Sequence, residues 1–466
     1  MSVQSALLNA PIASTILRMA APNILAQFIT VLTFVAEAWY VGQLGSIALA
    51  GLALAFPMMM LSMMLSAGAF GGAMTGAVAQ QLGAGNRVGA ENLALHAVLL
   101  GLCMAALSSL FFLAFGGVIY SSLGGLGPVL EKALSYSDIL FYGVFTMWLA
   151  NSLAAIVRAA GHMFVASICL IAGSIVQVIS AAILIFGWGP FPSMGIGGAA
   201  AAVTIGYFLS SMLLFYYLSV KCPELHLKIL GVSIKLSPIV KILKVAALSS
   251  VNVLLTVLSV IAVTGFMARQ GTDVLAGYGI GARLEFLLIP LIFGFGAAST
   301  VMVGVHFGAG QIKRGHTVGW IGAFYAAGLT GVIGCLTAVF PGIWAESFTE
   351  VQAVQEVCRS YLQVVGPFYA FFGLGLCFYF ASQGAGRVLW PVLSVVVRFA
   401  IVVGGGFILI SLETTTPDNF FLLIGIGMLA QAIFTAVPIQ MGAWTRGLDA
   451  QKHSLAIIFS IIKLFV

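Results

Sequence analysis

Twelve long apolar runs follow one another along this chain. About 20 apolar residues suffice for a helix to cross a bilayer, and most of the runs reach that length. In hydrocarbon, only helices and closed barrels satisfy every backbone amide and carbonyl. Barrel strands alternate apolar and polar residues over about 10 positions, and these runs do not alternate. They lie near 16–42, 48–78, 92–118, 136–158, 163–187, 194–219, 240–268, 275–304, 317–340, 358–381, 388–410 and 420–444. Charged residues make up only 7% of the chain. The expected fold class is an all-α polytopic membrane protein with twelve transmembrane helices.

An even number of spans puts both termini on one side and divides the loops into two sets. One set, with the termini, holds Arg18, Arg87, Arg158, Lys221, Lys228, Lys235, Lys241, Lys244, Lys313, Arg314, Arg387, Arg446, Lys452 and Lys463. The other holds Lys132, Arg269 and Arg359, with acids such as Glu346, Glu350 and Glu356. Basic residues mark the cytoplasmic side. Both termini are therefore expected in the cytoplasm, with the protein multi-pass in the plasma membrane, the bacterial inner membrane. No cleavable signal peptide is expected.

The second half of the chain repeats the first. Gly83-Ala84-Gly85 matches Gly308-Ala309-Gly310, Leu49-Ala50-Gly51 matches Leu275-Ala276-Gly277, and Ala160-Gly161 matches Ala385-Gly386. Six spans per half give both halves one orientation, so the repeat axis runs along the membrane normal. Two six-helix bundles related by a pseudo-two-fold are expected. The first lobe is 1–220, a cytoplasmic linker 221–238, the second lobe 239–445 and a cytoplasmic tail 446–466.

A charge at membrane depth is costly and is kept there mainly where it faces protein or water. Glu37 closes the first run, on a stripe of Asn23, Gln27, Thr30, Thr33 and Glu37 at intervals of three or four, which is one helix face. The repeat lays this stripe on Ser249, Val253, Thr256, Ser259 and Val263. The hydroxyls are partly kept and the carboxylate is not. A requirement common to both halves therefore does not account for Glu37, which points to a coupling site. A buried carboxyl can take up and release a proton, or trade it for Na⁺ or a cationic substrate. For the Thr and Asn members, a polar seam joining helices is an equal alternative.

In the second half, Arg283 and Glu285 are two apart and do not share a helix face. Glu285 and Arg398 are candidates for an inter-helix ion pair, structural or functional. Arg283 and Arg398 caution against a purely cationic substrate range.

Several classes are disfavoured. There is no Walker A sequence, and the Gly83–Gly89 stretch follows no strand. The six cysteines have no C-x-x-C pair and the six histidines no metal-ligand spacing. No nucleophile, base and orienting acid come together. No enzyme, cofactor, metal or nucleic acid is expected, and the surroundings are lipid.

The stretches Glu37-Ala38-Trp39-Tyr40-Val41-Gly42-Gln43-Leu44-Gly45, Leu82-Gly83-Ala84-Gly85-Asn86, Arg158-Ala159-Ala160-Gly161 and Leu275-Ala276-Gly277-Tyr278-Gly279-Ile280-Gly281 together resemble the multidrug and toxic compound extrusion (MATE) family over nearly the whole chain. The resemblance implies two lobes and export of organic compounds in exchange for H⁺ or Na⁺. It implies that Glu37 stands where many members carry the coupling aspartate, with Asn151 and Gln177 at polar positions of helices four and five. Ala181 stands where some carry a second acid. The helix-seven glutamate of a subset is absent, leaving Asn252 and Thr256 nearby. The expected function is a monomeric antiporter that exports amphipathic, cationic organic compounds against H⁺ or Na⁺ by alternating access. The alternative is a lipid-linked saccharide flippase of the same superfamily.

Overall fold

The computed structural model describes residues 7–227, 236–412 and 416–445. The tail expected at 446–466 and part of the linker lie outside them.

The helices are α1 (Ile12–Gly42), α2 (Ser46–Gly83), α3 (Arg87–Ser122), α4 (Gly127–Tyr142 and Val144–Ala159, bent by 49°), α5 (Met163–Phe186) and α6 (Ile196–Lys221). The second half contains α7 (Leu236–Ala268), α8 (Thr272–Gly308), α9 (Ile312–Val339), α10 (Gln352–Ala385), α11 (Leu389–Ser411) and α12 (Pro417–Gln440). All are long and apolar enough to cross a membrane, α4 as a bent pair. Their alternation puts the start of α1 and the ends of α2, α4, α6, α8, α10 and α12 on one face, here the near face. Large apolar side chains such as Leu110, Phe115 and Val118 of α3 point outward, as lipid-facing helices require.

The apolar runs underestimate several helices, because charged residues continue the helix beyond its apolar stretch. α4 starts at Gly127 and carries Glu131 and Lys132. α7 starts at Leu236, ahead of the run at 240–268, and α10 starts at Gln352 within the polar stretch 341–357. Arg158, expected in a loop, is in the last turn of α4 and is only 4% exposed.

The same pairings build each half. α1 packs on α5, α2 and α3 on α4, and α5 on α6; likewise α7 packs on α11, α8 and α9 on α10, and α11 on α12. Side-chain bonds repeat too. Thr75 Oγ1 donates to the Ala155 carbonyl at 3.1 Å, and its counterpart in the second half, Thr300 Oγ1, donates to the Phe380 carbonyl at 2.8 Å.

The bundles meet along α2 and α8, and their contacts are reciprocal. A Cβ on Gly83 would lie 2.1 Å from the Val305 carbonyl oxygen; one on its counterpart Gly308 would lie 1.9 Å from that of Gln80, the counterpart of Val305. Gln383 Nε2 donates to the Gly68 carbonyl at 3.0 Å, while Arg158 stands 5.8 Å from the ring centroid of Phe293. Those are again counterparts, with the partners exchanged. Self-complementary contacts of this kind are the signature of a two-fold axis, here one relating two halves of one chain. Side-chain hydrogen bonds cross between the bundles in the near half: Gln80 to Gly384 (2.8 Å), Gln383 to Gly68, and Arg314 to Ala10 (2.6 Å).

Candidate functional site

α1 presents Ile16, Met19, Ala20, Asn23, Ala26, Thr33, Glu37 and Val41 to the protein interior, a helical spacing that places the stripe inside the first bundle. Glu37 is 4% exposed. Its Oε1 accepts a hydrogen bond of 2.7 Å from the hydroxyl of Tyr136 on α4. The Tyr136 oxygen also lies 3.3 Å from the Met59 sulfur of α2. Glu37 Oε2 has no protein donor. No cationic side chain pairs with Glu37 among the described residues.

The rest of the stripe divides into two kinds of residue. Asn23 joins helices: its Oδ1 accepts from Ser167 of α5 at 3.2 Å, and its Nδ2 donates to the Met163 sulfur at 3.1 Å. Thr30 and Thr33 return their hydroxyls to their own helix, on the carbonyls of Ala26 (3.0 Å) and Ile29 (2.9 Å). Gln27 is half-buried beside them.

Asn151 donates to Ser66 Oγ at 2.8 Å. Ser66 sits in a π-helical segment of α2, Met64–Phe70. Such segments are frequent at functional sites. Gln177 is buried, and its amide nitrogen has no protein acceptor. Neither amide hydrogen-bonds Glu37, so a ring of oxygen ligands around a cation is not assembled in this conformation.

The second bundle holds another carboxyl at membrane depth, half-buried. Glu285 of α8 accepts a hydrogen bond from the Tyr361 hydroxyl of α10. Arg398 of α11 donates to Gln431 Oε1 of α12 at 3.1 Å and stands 5.3 Å from the Phe372 ring centroid. The candidate ion pair between Glu285 and Arg398 is not a direct contact in this conformation. Each has a nearer partner, and the two charges act on one another only across space. Arg283 faces away, 5.7 Å from the ring centroid of Phe348. On α7, Thr256 donates to the Asn252 carbonyl at 2.8 Å, and Asn252 Nδ2 has no acceptor. Neither is hydrogen-bonded to Glu285.

Sequence reasoning missed the tyrosines. Tyr136 and Tyr361 are counterparts under the repeat, and each donates to a glutamate. Those glutamates are not counterparts. Glu37 comes from the first helix of its half and Glu285 from the second, at the position that Met59 occupies in the first bundle. Testing the repeat for shared hydrogen-bonding side chains, and not only for shared turns, would have found the pair.

Fold and site together define a multi-pass helical membrane protein made by internal duplication, with a carboxyl hydrogen-bonded to a tyrosine inside each half. The MatE family model matches residues 22–183 and 249–408, and the chain belongs to the MatE family. It is 26% identical over 316 residues to the probable multidrug resistance protein YoeA of Bacillus subtilis, covering 67% of each chain. It is 26% identical over 309 residues to the FAD transporter of Shewanella oneidensis, covering 66% of this chain and 68% of that one. The fold matches the solved structure of a MOP superfamily transporter from Pyrococcus furiosus with a TM-score of 0.87 at 23% identity, over 95% of this chain and 98% of that one.

Proposed function

We propose that the protein is a secondary antiporter that exports amphipathic organic compounds across the plasma membrane in exchange for protons. The near face is its cytoplasmic side. The observation that carries this reading is the state of Glu37, buried, with one oxygen bonded to Tyr136 and the other without a donor. An isolated charge there is expensive. A proton on Oε2 removes the charge, and a cationic substrate compensates it. Binding of the two is then mutually exclusive, which is the requirement for exchange. Sodium needs several oxygen ligands, and the neighbouring amides of Asn151 and Gln177 do not reach Glu37, so the geometry favours H⁺ over Na⁺.

Alternating access needs two bundles that rock about a shared seam. The reciprocal contacts of α2 and α8 supply that seam, closed here at the near face. The names of the relatives support organic substrates, and one of them, a transporter of FAD, broadens the range beyond cations. Arg398 keeps an anionic group within that range. The flippase alternative is disfavoured by the twelve spans, because flippases of that kind tend to have more.

The test is flux of a fluorescent cationic dye in proteoliposomes under an imposed pH gradient and, separately, a Na⁺ gradient. The expected result is flux driven by the pH gradient in wild type and none in folded Glu37→Gln. Full gradient-driven flux in the variant would make Glu37 structural.

A further inference from the structure

A cluster of metal-ligating side chains lies at the near end of the first bundle, away from Glu37. His162 is the N-cap residue of α5, in the turn after α4. Cys222 and Glu224 follow α6, which ends in a π-helical turn, Tyr217–Lys221. The His162 ring nitrogens, the Cys222 sulfur and the Glu224 carboxylate offer one ligand atom each within 4.8 Å of one another. His162 Nε2 and Glu224 Oε2 are 2.8 Å apart. Cys222 is fully buried with a free thiol.

The surrounding chain holds these groups in place. Pro223, between the two ligands on the α6 side, fixes its own φ. Cys222 N donates to the Tyr217 carbonyl at 2.9 Å, and Leu227 N to the Leu218 carbonyl at 3.3 Å, so the segment folds back over the end of α6. The His162 and Tyr217 rings pack edge to face, 5.6 Å between centroids. The carboxylate of Glu91 also reaches this segment, accepting from the His226 amide at 3.3 Å. A His–Glu ion pair would tie the α4–α5 turn to α6 without help. It does not call for a thiol buried against both partners.

We propose that His162, Cys222 and Glu224 form a binding site for a divalent transition metal, Zn²⁺ by the character of its donors. One imidazole, one thiolate and one carboxylate are a borderline-soft set that suits Zn²⁺ and disfavours Mg²⁺ and Ca²⁺, which take oxygen. Three protein ligands leave a fourth position for water. Tetrahedral bonds of about 2.1 Å separate two ligand atoms by roughly 3.3 Å. His162 and Glu224 therefore move apart by a fraction of an ångström to admit the ion. Cys222 releases its thiol proton to solvent, and the imidazole carries its proton on Nδ1 so that Nε2 is free to ligate. The bound ion clamps the α4–α5 turn to the end of α6, where the chain leaves the first bundle. Two whole helices, α5 and α6, separate His162 from Cys222 along the chain and conceal this site from any motif search.

The test titrates Co²⁺ into the purified full-length protein in detergent and reads the thiolate-to-cobalt absorption band, followed by displacement with Zn²⁺. Three variants accompany wild type: Cys222→Ser, His162→Ala and Glu224→Gln. The last keeps a hydrogen-bonding partner for His162 while removing the carboxylate, so it separates ligation from the structural tie. The expected result is one equivalent of Co²⁺ with a thiolate band, displaced by Zn²⁺. The band is lost in Cys222→Ser, and affinity falls more than roughly tenfold in Glu224→Gln and His162→Ala. Excess Zn²⁺ raises the melting temperature of wild type and not that of Cys222→Ser. A wild-type protein with no thiolate band overturns the proposal. So does a band that persists in Cys222→Ser, or unchanged affinity in Glu224→Gln.

Discussion

Tyr136 donates its phenolic proton to Glu37 across 2.7 Å, from the bent fourth helix to the far end of the first. It is the only protein donor that Glu37 has among the described residues, since Oε2 is unpartnered. Hydrogen bonds to charged groups are worth about 1.5–3 kcal/mol. Tyr136→Phe is expected to reduce proton-driven flux tenfold or more with the fold intact. In a Glu37→Gln background the same change should add little. A double-variant cycle of flux in proteoliposomes checks this; additive effects would show that the pair does not act as a unit.

The seam between the bundles depends on two glycines. Gly83→Ala and Gly308→Ala each place a Cβ close against a backbone carbonyl of the opposite bundle, and backbone yields poorly. Overpacking of this kind costs roughly 1–3 kcal/mol. Each variant is expected to loosen the near-face closure. Hydrogen exchange would report it as lost protection at 76–84 and 300–308. Unchanged exchange in both variants would mean that the seam is not held by this contact.

Gln383 ties three elements together. Its Nε2 is within hydrogen-bond distance of the Gly68 carbonyl, Ser249 Oγ and the Tyr379 hydroxyl, and the side chain is buried. Gln383→Leu would leave the Gly68 carbonyl without this donor at the bundle interface. It should destabilise the closed arrangement by about 1–3 kcal/mol. A thermal melt and the exchange rates of the Met64–Phe70 segment would register the loss.

Glu285 and Arg398 lack direct contact yet feel one another's charge. Removing one charge leaves the other uncompensated, which is costly at a partly buried site. Arg398→Met should lower the melting temperature more than the double variant Glu285→Gln/Arg398→Met does. Strictly additive shifts would show that the two charges are independent.

Arg359 and Glu346 sit 2.6 Å apart on the surface, 38% and 58% exposed. Exposed pairs contribute little. Arg359→Gln should change stability by no more than about 0.5 kcal/mol and leave flux unchanged, as a control for the pairs inside the bundles.

The twelve spans, the duplication and Glu37 are all legible in the sequence. Each rests on a local property: run length against bilayer thickness, recurrence of turn residues, and a carboxyl on the interior-facing stripe of an apolar run. The ends of α4 and α10 were misplaced because their charges look like loop. Arg158 was read as a loop cation for the same reason, although the opposite bundle covers it and offers the Phe293 ring to its guanidinium. Partnership is decided only in three dimensions. Tyr136 lies 99 positions from Glu37, and Asn151 takes Ser66 as its partner while Gln177 reaches no acceptor. Glu285 and Arg398, candidates for a pair, take Tyr361 and Gln431 as their hydrogen-bond partners. His162 meets Cys222 and Glu224 only because α6 returns to the α4–α5 turn. Periodicity and composition determine that a helix forms and which face it buries. What that face touches depends on how α1 to α12 pack, and packing distances bear no simple relation to separation along the chain.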